Sequence, residues 1–138
     1  MPTTGHCLCG DLAYEFDGAP NWVSYCHCDS CRRNTSSAVA AFVGLDVSRA
    51  RYTKGTPARY VSSPGVTRSF CGRCGSPMSY EGKNFPGEIH FYIGTLSDPA
   101  ALAPSVHVHV AEKLPWFDTR DALPRHAHSD NSAESRDS

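Results

Sequence analysis

Seven cysteines stand out in this 138-residue chain, and they fall in three tight groups: Cys7-x-Cys9, Cys26-x-Cys28-x2-Cys31 and Cys71-x2-Cys74. Pairs this close make poor intramolecular disulfides and good chelates, because two thiolates on one tight turn reach the same tetrahedral ion. Gly10 follows Cys9, and Gly72 and Gly75 bracket Cys74; glycine lets the backbone bend so that amide N–H groups face the sulfurs. Cys7, Cys9, Cys71 and Cys74 together supply the four thiolates of a closed, structural zinc site. Such a site would tie the N-terminal segment to a distant turn and add folding free energy to a small domain. Cys26, Cys28 and Cys31 then remain, and three ligands with one open position is the arrangement of a catalytic zinc. Two Zn2+ per chain is therefore the expected cofactor content. The alternatives are a single zinc with three spare cysteines buried as small hydrophobes, and a redox pair at Cys71 and Cys74. The redox pair would want a following helix in a βαβ setting, which is not visible.

The elements that must hold these clusters are short. Ten prolines and eleven glycines punctuate the chain, and the segments between them alternate apolar and polar residues. Leu12, Tyr14 and Phe16 do so, as do the stretches around Trp22, Tyr52, Met78 with Tyr80, Ile89 with Phe91 and Ile93, and Val106 with Val108 and Val110. Period-two runs of this length predict strands, with no room for crossover helices. Residues 38–43 are apolar throughout and are expected to be a strand buried on both faces. Two short helical turns are expected, one over residues 29–34 and one opened by Asp98 with Pro99 at its first position. The fold class is thus all-β, with antiparallel sheets and few helical turns. One domain over residues 1–125 and a loose polar tail over residues 126–138, holding His126 and His128, complete the expected organisation.

Composition removes several classes of function. Thirteen basic against fourteen acidic residues leave a formal net charge of −1, and the arginines and lysines at 49, 51, 54, 59 and 68 form no run. They read as solvated positions, so neither a nucleic-acid partner nor an anionic membrane is expected. No apolar stretch is long enough to span a bilayer. Residues 1–6 lack the features of a signal peptide, and a reducing cytoplasm is the expected location.

Three blocks in order, Gly5-His6-Cys7-Leu8-Cys9-Gly10, Cys26-His27-Cys28-Asp29-Ser30-Cys31-Arg32 and Phe70-Cys71-Gly72-Arg73-Cys74-Gly75, resemble the glutathione-dependent formaldehyde-activating enzyme family, which also includes centromere protein V. The similarity runs on through Gly94-Thr95-Leu96-Ser97-Asp98-Pro99, His107 to His109 and Lys113-Leu114-Pro115-Trp116, covering roughly residues 5–125. The resemblance implies an Mss4-like all-β fold stapled by zinc. It implies structural zinc ligands at Cys7, Cys9, Cys71 and Cys74 and active-site ligands at Cys26, Cys28 and Cys31. It also implies a carbon–sulfur lyase activity that joins a small aldehyde to a thiol, formaldehyde to glutathione in the named reaction.

Supporting residues are less defined. Arg32 and Arg33 follow Cys31; a guanidinium there would suit a substrate carboxylate, or simply solvate a turn. His27, between two ligands, is expected to point away from the metal. His107 and His109 share one strand face and read as its wet side, with pocket lining as the alternative. Trp22, Phe42, Phe70 and Trp116 read as core, and Trp22 and Tyr25 as neighbours of the site. The enzyme reading competes with a non-catalytic module in which both zincs are structural, and with a chromatin adaptor that the charge balance disfavours.

Overall fold

The computed structural model describes residues 1–129. Among them run ten strands and one α-helix: β1 Thr3–His6, β2 Ala13–Phe16, β3 Trp22–Cys26, α1 Asp29–Thr35, β4 Ala40–Asp46, β5 Ala50–Lys54, β6 Ala58–Ser63, β7 Val66–Phe70, β8 Pro77–Gly82, β9 Glu88–Tyr92 and β10 Val106–Val108. They build a three-stranded sheet in the order β1-β2-β5 and a seven-stranded sheet in the order β10-β3-β4-β9-β8-β7-β6. Every pairing is antiparallel except β10 on β3, which is parallel. The all-β expectation holds, with a mixed rather than purely antiparallel large sheet. No helix among the described residues is long and apolar enough to cross a membrane.

The large sheet is covered on both faces, which is why β4 reads as a continuous apolar run. Strand alternation sends Val43, Leu45, Ile89, Phe91 and Met78 to one face, against Leu12, Tyr14 and Phe16 of the small sheet. Tyr14 stacks flat on Phe91, ring centroids 3.9 Å apart. The opposite face carries Phe42, Tyr80, Tyr92, Val66 and Ala40, packed with Cys26, Cys28 and Cys31. Cys7 and Cys71 belong to the first core. Each cysteine cluster thus sits against a different hydrophobic core.

Strand register adds a row on the second face. Arg68 pairs with Tyr80, Tyr80 with His90, His90 with Gly44 and Gly44 with Trp22. Gly44 has no side chain to fill its place, and the Trp22 indole lies over it: a Cβ there would collide with the ring. His90 meets Trp22 edge-on at 4.5 Å and stacks on Tyr80 at 5.2 Å.

Several sequence expectations are corrected. Arg68, expected to be solvated, is buried at 2 % exposure. His107 and His109, expected on a wet face, are buried; the valines beside them are the more exposed residues of β10. Trp116, expected in the core, is 72 % exposed, and Phe70 is half-buried. The strand expected at residues 38–43 begins at Ala40 and runs on through Gly44 to Asp46. The turn after Asp98 is present as Pro99–Ala101, but the Asp98 side chain does not cap it. Residues 126–128, expected to belong to the loose polar tail, lie with Pro124 along β10 and the turn after it: His107 N–H donates to the Pro124 carbonyl at 2.8 Å, His126 N–H to the His107 carbonyl at 2.8 Å and His109 N–H to the His128 carbonyl at 2.8 Å. The tail expectation for residues 130–138 lies outside the described residues.

Candidate metal centres and the adjoining cavity

Cys7 and Cys9 sit on the tight loop after β1, and Cys71 and Cys74 on the turn after β7. Gly10 and Gly75 close these loops at φ of +83° and +80°, which a side chain would resist. The four sulfurs lie within 4.8 Å of one another. Cys7 and Cys9 are separated by 3.7 Å and Cys9 and Cys71 by 3.8 Å. A Zn–S bond of about 2.3 Å sets the edge of a tetrahedron at about 3.8 Å, which these two separations match, so the donor set suits a four-sulfur ion. Amide N–H groups already face it: Leu12 donates to Cys7 Sγ at 3.2 Å and Cys74 to Cys71 Sγ at 3.4 Å. The Ser76 hydroxyl and amide, with other amide donors, hold the Cys74 thiol down to about 5. Cys9 goes the other way, to about 11, where burial and the sharing of hydrogen bonds with neighbouring sulfurs outweigh the Asp11 amide.

Cys26 ends β3, Cys28 caps α1 and Cys31 lies in its first turn. The three sulfurs also lie within 4.8 Å of one another, and all three residues are buried. Cys31 N–H donates to Cys28 Sγ at 3.3 Å, repeating the amide-to-sulfur geometry of Cys74 on Cys71. Contacts with Cys28 and Cys31, together with burial, hold the Cys26 thiol well above its ordinary value. In Cys31 the lowering contact with Cys26 is outweighed by Cys28 and burial, and the thiol is pushed up to about 12. An arriving metal ion has these protons to displace. Among the described residues no fourth Cys, His, Asp or Glu joins this group. Both clusters could therefore hold a metal ion, one closed by protein sulfur and one with a coordination position to spare.

A narrow cavity of about 60 Å3 opens beside the three-sulfur group, with Cys26 and Cys31 in its wall. Trp22, Phe42, Tyr80 and Phe85 give it an apolar, aromatic lining, and His90, His109 and Ser24 supply the polar positions. Trp22 borders the site as expected. Tyr25 does not line the cavity; one position along β3 turns it to the other face, where it stacks on His107 at 4.7 Å.

The same alternation explains His27. It shares the Tyr25 face, so its ring points away from the sulfurs although it lies between two of them. Its Nε2 lies 2.8 Å from His107 Nδ1, and His107 Nε2 lies 3.0 Å from Asp121 Oδ1. With His107 Nε2–H donating to the carboxylate, His107 Nδ1 accepts and His27 Nε2–H donates. Burial, then the neighbouring His107, pull His27 down to about 4. It is therefore neutral at physiological pH. Arg32 lies outside the cavity lining. Its Nε donates to the His27 carbonyl at 3.0 Å and its Nη2 to the Glu112 carbonyl at 3.1 Å, so the guanidinium ties the ligand loop to the turn after β10. Arg33 is exposed and pairs with Asp29 at 2.9 Å. The residue that sequence reasoning missed is Arg68, whose Nη1 lies 3.8 Å from Cys31 Sγ.

Comparison with known proteins agrees with this geometry. The family model of the glutathione-dependent formaldehyde-activating enzyme matches residues 2–112, which takes in all three cysteine groups and all ten strands. The chain belongs to that family. A solved structure of a Rhodobacter sphaeroides protein superposes with a TM-score of 0.58 at 19% identity, over 89% of this chain and 98% of that one; this establishes likeness of fold. No curated protein matches the chain.

Proposed function

We propose that the protein is a zinc-dependent enzyme of the carbon–sulfur lyase type, forming or breaking the adduct of a thiol with a small aldehyde. S-hydroxymethylglutathione is the adduct that the family description suggests. The observation that carries the reading is the contrast between a four-sulfur group closed on itself and a buried three-sulfur group bordering a cavity. Soft thiolate donors in this number suit zinc in both places. When bound at Cys26, Cys28 and Cys31, zinc would hold a substrate sulfur as thiolate at neutral pH and polarise an aldehyde oxygen.

The chain's own residues do the rest. Cys26, Cys28 and Cys31 fix the place of the reacting sulfur, and Arg32 fastens the loop that bears them. The aromatic wall of Trp22, Phe42, Tyr80 and Phe85 gives the reacting sulfur apolar surroundings in a cavity of about 60 Å3. That size favours a one- or two-carbon aldehyde. The body of a larger thiol such as glutathione would lie outside. Addition of a thiolate to an aldehyde needs little beyond alignment and stabilisation of the developing oxyanion. A reducing, cytoplasmic setting suits seven cysteines without a disulfide among them.

The test follows adduct exchange between formaldehyde and a panel of thiols by two-dimensional exchange NMR, with the zinc-loaded chain present. Faster exchange for at least one thiol, abolished in Cys28→Ser, supports the proposal. Unchanged exchange for every pair, with both sites loaded, refutes it.

A further inference from the structure

Arg68 carries a charge that no carboxylate among the described residues cancels. Its side chain projects from β7 into the second core and is 2 % exposed. Nη1 donates to Tyr92 Oη at 3.0 Å, Nε donates to the Ser62 hydroxyl at 3.3 Å, and the guanidinium lies 5.2 Å from the centre of the Tyr80 ring. Nη2 is buried and has no hydrogen-bond partner among the described residues. No carboxylate stands within ion-pair distance of it there: Glu81, on the neighbouring strand, pairs with Arg59 at 3.7 Å instead. A buried, unpaired guanidinium is strongly unfavourable unless an opposite charge is supplied. Among the described residues, the group beside it that becomes anionic when a metal ion is bound is the sulfur cluster, with Cys31 Sγ 3.8 Å from Nη1.

Charge then distinguishes the two centres. A divalent ion held by three thiolates carries one net negative charge, which the Arg68 guanidinium cancels. The four-sulfur centre would carry two, and the arginine near it, Arg73, is exposed and pairs with Asp11 at 3.3 Å. We infer that Arg68 is the built-in counter-charge of the Cys26–Cys28–Cys31 centre, holding three thiolates around one ion and leaving the assembly neutral toward an anionic fourth ligand such as a thiolate. Arg68 acts through the ligand set and is a positioning residue. The inference rests on the reading of this centre as an open metal site.

The experiment compares full-length wild type, Arg68→Met and Arg68→Lys, each loaded with cobalt(II). The sulfur-to-cobalt charge-transfer bands report each centre, chelator competition reports retention, and 2-mercaptoethanol is the thiol probe. The expected result is that Arg68→Met loses the three-sulfur ion at least tenfold more readily and takes up mercaptoethanol correspondingly less well. Its four-sulfur ion is unchanged, and Arg68→Lys, which keeps the charge, restores most of both properties. Wild-type retention in Arg68→Met, or a loss in Arg68→Lys equal to that in Arg68→Met, overturns the inference. Should Arg68→Met fail to fold, Arg68→Lys decides alone: near-wild-type retention supports the counter-charge role, and a tenfold loss defeats it. If wild type itself shows no band shift with mercaptoethanol, the proposed function falls, while the chelator comparison still decides the role of Arg68.

Discussion

The two cysteine groups are built from the same turn and do different things with it. Cys71 with Cys74 and Cys28 with Cys31 share the amide-to-sulfur bond three residues on, at 3.4 Å and 3.3 Å. The first turn meets a second pair, Cys7 and Cys9, brought to it across two separate segments of chain. Among the described residues the second meets only Cys26, and beyond it a cavity. The burial differs in the opposite sense to intuition. The closed group has an exposed member, Cys9, while all three cysteines of the open group are buried. What is open in the second group is its coordination, not its exposure. A domain with few long elements could thus use one ion to tie its N-terminal loop to a mid-chain turn and hold another beside the cavity.

This contrast can be broken most forcefully by removing one ligand from each group. Structural zinc contributes on the order of 10 kcal/mol, comparable to the whole stability of a small domain. Cys74→Ser is therefore expected to unfold the chain, seen as loss of the cooperative thermal transition by circular dichroism. Cys28→Ser should keep that transition and lose thiol binding. Equal loss of fold in both would erase the distinction.

Stepwise metal removal sharpens the comparison. A chelator titration of the zinc-loaded protein should empty the three-sulfur centre first, with one equivalent released while the fold persists. Acid should act in the same order. The thiols of Cys26 and Cys31 are both held above their ordinary value, whereas in the closed group Cys9 is raised, to about 11, but Cys7 and Cys74 are lowered. Protons therefore compete harder with the ion at the open centre, and its occupancy falls at a higher pH as the solution is acidified. Metal analysis after dialysis across a pH series reads this directly.

A smaller effect tests the cavity wall. Gly44→Ala places a Cβ against the Trp22 indole, and overpacking of this kind costs about 1–3 kcal/mol. It should displace Trp22 from the three-sulfur face, shift its fluorescence and leave four-sulfur retention unchanged. Arg32→Ala is expected to act on the same scale. Loss of two hydrogen bonds to main-chain carbonyls should lower stability by about 1–3 kcal/mol with thiol affinity reduced only as the ligand loop loosens. A large loss of affinity for carboxylate-bearing thiols alone would instead place Arg32 on the substrate.

The cysteine groups were legible in sequence because chelation depends on short spacings that survive any fold. The strands were legible because alternation is local, and the family resemblance rested on the same three blocks. Arg68 was not legible, since a buried cation beside thiols has its partner 37 residues away. One signal was present: Arg68 shares strand parity with Val66, which is buried. His107 and His109 were misplaced because their burial depends on residues 124–128 lying along β10 and on Asp121 reaching His107. Such edge coverage leaves no periodic trace. Trp116 was misread because aromatic character alone does not say whether a loop residue packs. Tyr25 and His27 show the useful converse: parity along β3 sets the direction of each side chain, and it separates the sulfur face from the histidine face.

The proposed function requires two zinc ions per chain, one sealed by protein sulfur and the other with room for a visiting thiolate. Zinc K-edge X-ray absorption on the fully loaded protein, before and after adding 2-mercaptoethanol, tests it most directly. The account predicts an average of about three and a half sulfurs per zinc that rises to about four with the thiol. A single zinc per chain, or four sulfurs per zinc from the outset with no change on addition, would contradict it.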